Sequence, residues 1–236
     1  MPWMRSINSL KRFLEKRMIK GCIFDIDGVL LDSMEIWDDL GARYLRSLGK
    51  IPEEGLNTIL FSMSMEQGAE YLKNKYELSQ SVSEITDGLG KMLEDYYFYE
   101  VSSKQGAKEV LEFLKSKNIR MAAATSSPRE HIEKALLRNG LLEYIEKIYT
   151  TSEVGISKHS PEIYYLAADF LKTKPEETLV FEDSLYALKT AKEAGFVSIG
   201  VYDEKGESNQ EGLKSLADIY LTSLGDFIRM SEKLFN

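Results

Sequence analysis

Through most of the chain, short unbroken apolar runs alternate with longer stretches in which apolar residues recur every three or four positions. The runs are 21–26 (GCIFDI), 119–125 (IRMAAAT), 147–151 (KIYTT), 178–183 (TLVFED), 196–202 (FVSIGVY) and 218–223 (DIYLTS). None alternates strictly between apolar and polar, so each predicts a strand covered on both faces, as in a parallel sheet. The stretches between them predict helices. Ser127-Pro128-Arg129-Glu130 combines an N-cap, a proline at the first helical position and a capping-box glutamate, and Gly140 ends the helix. Ser160-Pro161 opens another helix in the same way. Ser184 opens a third, with Leu185, Leu188 and Ala191 on one face and Gly195 at its end. Right-handed strand–helix–strand crossovers then predict an α/β core with a doubly wound, Rossmann-like parallel sheet.

From Ser33 to about Val101 the strand pattern lapses and only helical spacing remains. Ile36, Trp37, Leu40, Tyr44, Leu45 and Leu48 form a wide apolar stripe ended by Gly49. Pro52 is expected to start a second helix, Ser64 a third, and Ser81 a fourth that runs into EDYYFYEV. This predicts an inserted α-helical cap domain, of the kind that serves as a lid over a site at strand ends. Tyr96–Tyr99 reads as bundle core plus amphipathic tyrosines. The expected division is an N-terminal extension at 1–17, a core of 18–32 and 103–236, and a cap of 33–102.

Composition narrows the function classes. The 236 residues are 43% hydrophobic and 29% charged, as in an ordinary globular protein, with room for one large domain or two small ones. A net charge of -8 argues against nucleic acid or an anionic membrane as the main partner. Cys22 is the sole cysteine, so no internal disulfide forms, which fits a reducing cytoplasm. No apolar run approaches the ~18 residues of a membrane span. Residues 1–20 are basic, with Ile7, Leu10, Phe13 and Leu14 near helical spacing, and read as a docked or frayed terminal helix. Met18, just before the first strand, is an alternative start. A cytoplasmic monomer is expected.

The chemistry gathers where the strands end. Ligands of open parallel sheets bind beyond the carboxyl ends of the strands. There the first strand carries Asp25 and Asp27, the second Thr125-Ser126-Ser127, the segment after the third Lys158, and the fourth Glu182-Asp183. No histidine or cysteine joins them, which disfavours zinc. Clustered oxygen ligands suit a hard cation, most simply Mg²⁺ with a phosphate oxygen, and lysine and hydroxyl groups suit the remaining phosphate oxygens. Residues i and i+2 of an extended chain point to the same side, so in Asp25 and Asp27 one carboxylate can attack while its neighbour transfers protons. Taken singly, each part has a plainer reading as a turn, a helix cap or a surface lysine. Their shared placement at strand ends of one sheet favours the joint reading.

The stretches FDIDGVLLDS, ATSS, the lysine of SKHSPEIYY, and FEDSLYALKTAKEAG, in this order, resemble the haloacid dehalogenase-like superfamily, in its helical-cap branch near phosphatases and β-phosphoglucomutase. The resemblance runs from about Met18 to the C-terminus. It implies an Mg²⁺-dependent phosphoric monoester hydrolase in which Asp25 is the nucleophile that becomes an aspartyl-phosphate and Asp27 is the acid/base. It further implies that Thr125, Ser126 and Lys158 hold the phosphoryl group. Mg²⁺ would be held by Asp25, the carbonyl of Asp27 and Asp183, with Glu182 positioning a metal-bound water. Relatives that dehalogenate lack the second aspartate, so Asp27 favours phosphoryl transfer.

Two departures bear on the reaction. His159 stands where relatives carry proline after the lysine, and it reads as an exposed loop residue; His131 reads as structural. Mutase relatives carry a cap-hinge histidine where this chain has Trp37, and a phosphate-gripping arginine where Ser62–Met65 (SMSM) puts Met65. A thioether cannot pair with a second phosphate. The expectation is therefore hydrolysis of a small phosphomonoester, a sugar phosphate or similar metabolite. A β-phosphoglucomutase-like mutase is the alternative, kept open by Lys91.

Overall fold

The computed structural model describes residues 19–60 and 63–231. The expectations for residues 1–17, Met18 and Ser62 fall outside the described residues. The chain divides into two compact units, one formed by Ser33–Val101 and the other by the segments on either side of it.

The flanking unit is built on six parallel strands: β1 (Gly21–Phe24), β2 (Arg120–Thr125), β3 (Lys147–Thr150), β4 (Thr178–Glu182), β5 (Val197–Val201) and β6 (Ile219–Leu221). Their order in the sheet is β3-β2-β1-β4-β5-β6. The central register runs Phe24 to Ala123 on one side and Phe24 to Phe181 on the other. All six predicted strands form, each one to three residues shorter than its apolar run. The trimmed ends are informative. Asp25, Ile26 and Asp183 leave the ladder, so the carboxylates sit just past the last hydrogen-bonded pairs.

Both faces of the sheet are covered, which explains why the runs do not alternate. On one face Ile23, Ala122, Ala124 and Val180 pack with Ile163, Tyr164, Ala167 and Leu171 of a helix at Glu162–Leu171. On the other, Phe24 stacks on Phe181 at 4.5 Å, and Phe181 meets Phe227 edge-on at 5.2 Å. Phe227 belongs to a terminal helix, Leu224–Ser231. Cys22 is wholly buried in this core.

The predicted serine caps of the core unit are corrected. The helix expected from Ser127 spans Arg129–Arg138 with Pro128 at its cap and no side-chain cap bond, because the Ser127 hydroxyl is engaged elsewhere. The Ser160 hydroxyl turns to the Glu162 carboxylate, leaving Pro161 at the cap of the Glu162–Leu171 helix. Ser184 occupies the expected cap position, but its hydroxyl turns to Glu182 Oε2 and makes no cap bond, and the Leu185 N–H donates to Glu207 Oε2 instead.

The inserted unit holds helices at Glu35–Ser47, Leu56–Leu60, Met65–Tyr76 and Val82–Asp95, the last continuing into a π-turn at Tyr96–Glu100. Ser64 with Gln67 and Ser81 with Glu84 form complete capping boxes. Ile36, Leu40, Tyr44 and Leu45 are buried, whereas Trp37 is 48% exposed. The second helix starts at Leu56 rather than Pro52. Glu53 explains the delay: its N–H donates to the Tyr76 hydroxyl, and its carboxylate accepts from Tyr71 at 2.6 Å and pairs with Lys75 at 3.0 Å. These bonds hold that segment against another helix and out of a helical path. Tyr96 and Tyr97 are buried and Tyr99 is exposed. Lys91 pairs with Glu94 and Asp95 of its own helix. Among the described residues no helix is long and apolar enough to cross a membrane.

Candidate active site

The carboxyl ends of β1, β2 and β4 bring the singled-out residues of the core unit together. Lys158 is the hub. It is 2% exposed, and its Nζ lies 2.7 Å from Asp25 Oδ1 and 2.7 Å from Glu182 Oε1. Oxygens of Asp25, Glu182 and Asp183 all lie within 4.8 Å of one another. Asp25 is fixed from behind by its N–H donating to the Phe181 carbonyl at 2.9 Å, which continues the β1–β4 pairing past the strand. Gly28 then turns the chain at φ 72°, a left-handed conformation that disfavours side chains. The turn is tied by the Gly28 N–H to the Leu31 carbonyl at 3.0 Å.

Asp27 faces a different partner. Its Oδ2 accepts from the Ser127 hydroxyl at 2.6 Å. The Ser127 N–H donates to Thr125 Oγ1 at 3.1 Å, so the Thr-Ser-Ser turn closes on itself and aims one hydroxyl at the aspartate. Thr125 is fully buried and Ser126 is exposed. His159 is exposed as expected, and it stacks on Tyr186 with ring centroids 4.4 Å apart. His131 lies on the Arg129–Arg138 helix.

Two roles in this constellation are not legible in the sequence. Ser127 stands there as a strand-end hydroxyl and a helix cap, with no contact to Asp27 assigned. Tyr164 was read only as part of a helix, yet its buried hydroxyl donates to Glu182 Oε1 at 2.8 Å, the oxygen that Lys158 also contacts. The signal for Ser127 was a run of three hydroxyl residues at a strand end.

Electrostatics set the chemistry. Burial pushes the Asp25 carboxyl well above the ordinary carboxylate range; Glu182, Asp183 and Asp27 add to this, and Lys158 opposes it. Asp183 is pushed up to about 7 by burial and then by the Glu182 charge. Burial works against the Lys158 ammonium, but Asp25 and Glu182 outweigh it and raise its pKa. The Tyr164 phenol is raised well above its usual value by burial and then by Glu182. Three buried carboxylates thus share one buried ammonium. Such an excess of negative charge is costly without a counter-ion. An all-oxygen donor set of this kind fits a hard divalent cation, and it offers no nitrogen or sulfur ligand for a soft one.

A parallel α/β sheet with a lysine-bridged carboxylate cluster at its carboxyl edge defines a class of ligand-binding α/β proteins. Residues 19–195 match the family model of haloacid dehalogenase-like hydrolases, and the chain belongs to that family. It is 31% identical over 181 residues to a phosphorylated carbohydrates phosphatase of Thermotoga maritima, covering 77% of this chain and 84% of that protein. It is 27% identical over 186 residues to a validoxylamine A 7'-phosphate phosphatase of Streptomyces hygroscopicus subsp. limoneus, covering 78% and 86%. A solved Thermotoga maritima structure, provisionally named a β-phosphoglucomutase, superposes with a TM-score of 0.82 at 27% identity, covering 92% of this chain and all of that one.

Proposed function

We propose that this protein is an Mg²⁺-dependent phosphatase that hydrolyses a small phosphomonoester, of the phosphorylated-carbohydrate type, through an aspartyl-phosphate on Asp25. The observation that carries the reading is the placement of Asp25 against Lys158, with the Asp27 carboxylate bound instead by the Ser127 hydroxyl. The two aspartates sit in different environments, and different environments allow two roles. Asp25, facing the ammonium, is suited to in-line attack on phosphorus. Asp27, hydrogen-bonded by a hydroxyl and partly exposed, is suited to giving a proton to the departing alkoxide. In the second half-reaction Asp27 takes a proton from water as that water attacks the acyl phosphate, which returns Asp25 and releases phosphate.

Lys158 offsets charge on Asp25 and on the phosphoryl oxygens. The Thr125 hydroxyl and the Ser126 N–H are assigned to those oxygens. Asp25, Asp183, Glu182 and the Asp27 carbonyl would hold the cation, which supplies charge neutralisation for the transferring phosphoryl group. The helical unit Ser33–Val101 is assigned the role of a substrate-selecting cap. The phosphatase names of the relatives at 31% and 27% identity support hydrolysis. Lys91, the feature that kept the mutase alternative open, pairs with acids of its own helix, which supports the phosphatase reading over the mutase one.

The test is an Mg²⁺-supplemented panel of sugar phosphates, nucleoside monophosphates and small acid phosphates, followed for free phosphate and for sugar-phosphate isomers. Phosphate release that EDTA and Asp25→Asn both abolish supports the reading. Isomerisation of β-glucose 1-phosphate with little free phosphate would overturn it.

A further inference from the structure

Beyond the residues assigned so far, one partly buried lysine ties the site's loops together. Lys104 lies between Ser103 and the Ala107–Ser116 helix, far in sequence from every motif residue. Its Nζ donates to the Gly28 carbonyl at 2.6 Å, the Tyr202 carbonyl at 2.7 Å and Asp203 Oδ2 at 2.7 Å. An ammonium has three N–H donors, and here each has an acceptor. Gly28 immediately follows Asp27, at the exit of β1. Tyr202 and Asp203 immediately follow β5. In the sheet, β1 and β5 are the two neighbours of β4, the strand that ends in Glu182 and leads into Asp183. One side chain therefore spans, across the end of β4, the roughly 10 Å that separate strands two places apart.

The β5 loop that Lys104 holds also touches the carboxylate cluster. Asp203 is 5% exposed, and its Oδ1 accepts from the Lys205 N–H at 2.8 Å, which folds the loop back. That fold presses Gly206 onto Asp183: a Cβ at Gly206 would lie 2.7 Å from Asp183 Oδ2 and 3.1 Å from Asp203 Cβ. Glu207 Oε2 then caps the Leu185 N–H at 2.9 Å, two residues past Asp183. A second lysine latch serves as a comparison. Lys192 donates to the Leu216 carbonyl at 2.6 Å and Asp218 Oδ1 at 2.9 Å, near the opposite, amino-terminal end of β5.

We propose that Lys104, Asp203 and Gly206 are positioning residues of the active site: the Lys104–Asp203 latch sets the Asp27–Gly28 turn and the Asp183 carboxylate in mutual register, and Gly206 is the surface on which Asp183 rests. This rests on the phosphatase reading of Asp25, Asp27 and Asp183. A latch that served stability alone would behave like Lys192, whereas a positioning latch also changes the cation site and turnover. Partners of this outer kind typically contribute 10–100-fold, roughly, to metal affinity or activity.

The experiment compares wild type with Lys104→Met, Asp203→Asn, Gly206→Ala and the control Lys192→Met. Two readouts are taken: kcat and KM with p-nitrophenyl phosphate, and the Mg²⁺ concentration at half-maximal thermal stabilisation without substrate. In Lys104→Met we expect kcat to fall about tenfold or more, with KM changed less than about threefold, and the Mg²⁺ midpoint to rise. Asp203→Asn, which keeps the packing, and Gly206→Ala shift the Mg²⁺ midpoint in the same direction. Lys192→Met lowers the melting temperature and leaves kcat and the Mg²⁺ midpoint unchanged. The proposal is overturned if the folded Lys104, Asp203 and Gly206 variants lose only melting temperature, as Lys192→Met does. A wild-type protein that neither turns over p-nitrophenyl phosphate nor is stabilised by Mg²⁺ would instead overturn the phosphatase reading, and the proposal with it.

Discussion

The Ser127 hydroxyl donates to Asp27 Oδ2 at 2.6 Å, joining the loop after β2 to the loop after β1. The same serine gives up the helix-capping role that its sequence context predicts. A hydrogen bond to a charged group is worth about 1.5–3 kcal/mol, and 1.4 kcal/mol is about tenfold in rate. Ser127→Ala should therefore lower kcat by about tenfold to a hundredfold, with a loss of stability no larger than that one bond accounts for, because no cap is lost. Steady-state kinetics beside a thermal melt decide this. A variant with full turnover would remove Ser127 from the site.

Asp25→Asn separates chemistry from stability. It removes the assigned nucleophile, so turnover should fall on the order of a thousandfold or more. It also removes one of three crowded buried carboxylates while leaving Glu182 to pair with Lys158. In EDTA the variant should melt no lower than wild type. A large loss of stability would mean that the Asp25–Lys158 contact matters more than the repulsion around it.

Lys158→Met should have the opposite signature. It strips the shared cation from Asp25 and Glu182, both buried, and breaking a buried pair costs about 3–5 kcal/mol. Without the ammonium the carboxyls bind protons more readily in the folded state. The deficit measured by urea denaturation in EDTA should then be large at pH 8 and smaller at pH 5. A deficit independent of pH would contradict this account.

The raised Asp183 carboxyl predicts a pH dependence of defined sign. In protein stripped of divalent cations burial and the Glu182 charge push it up to about 7, against about 3.9 when unfolded. Between these values the folded state binds more protons than the unfolded state, so this group's contribution to stability falls as pH rises from about 4 to about 7. Asp183→Asn does not titrate. The melting temperature of wild type minus that of the variant should therefore fall across the window in EDTA. Saturating Mg²⁺, which favours the ionised form, should flatten or reverse the trend. A difference that rises with pH in EDTA would show Asp183 to be stabilised as an anion by the protein alone.

The six strands, the doubly wound core and the inserted helices were legible in the sequence, because both-face burial writes continuous apolar runs and one-face burial writes a stripe. Asp25, Asp27, Lys158, Glu182 and Asp183 were legible too, because a parallel sheet presents whatever follows its strands at one edge. Element ends were less so: Ser127, Ser160 and Ser184 each read as a helix cap, and each hydroxyl lies elsewhere. Local sequence states which bonds a hydroxyl is able to make, and tertiary neighbours decide which it makes. Ser127 met Asp27, and Leu185 met Glu207, only through the order of strands in the sheet. Tyr164 and Lys104 left no sequence signal for the same reason. A tyrosine on a core helix and a lysine in a connecting segment are ordinary in isolation. What distinguishes them is that chain closure over long sequence separations puts an acceptor in front of each donor, Glu182 for one and Gly28, Tyr202 and Asp203 for the other.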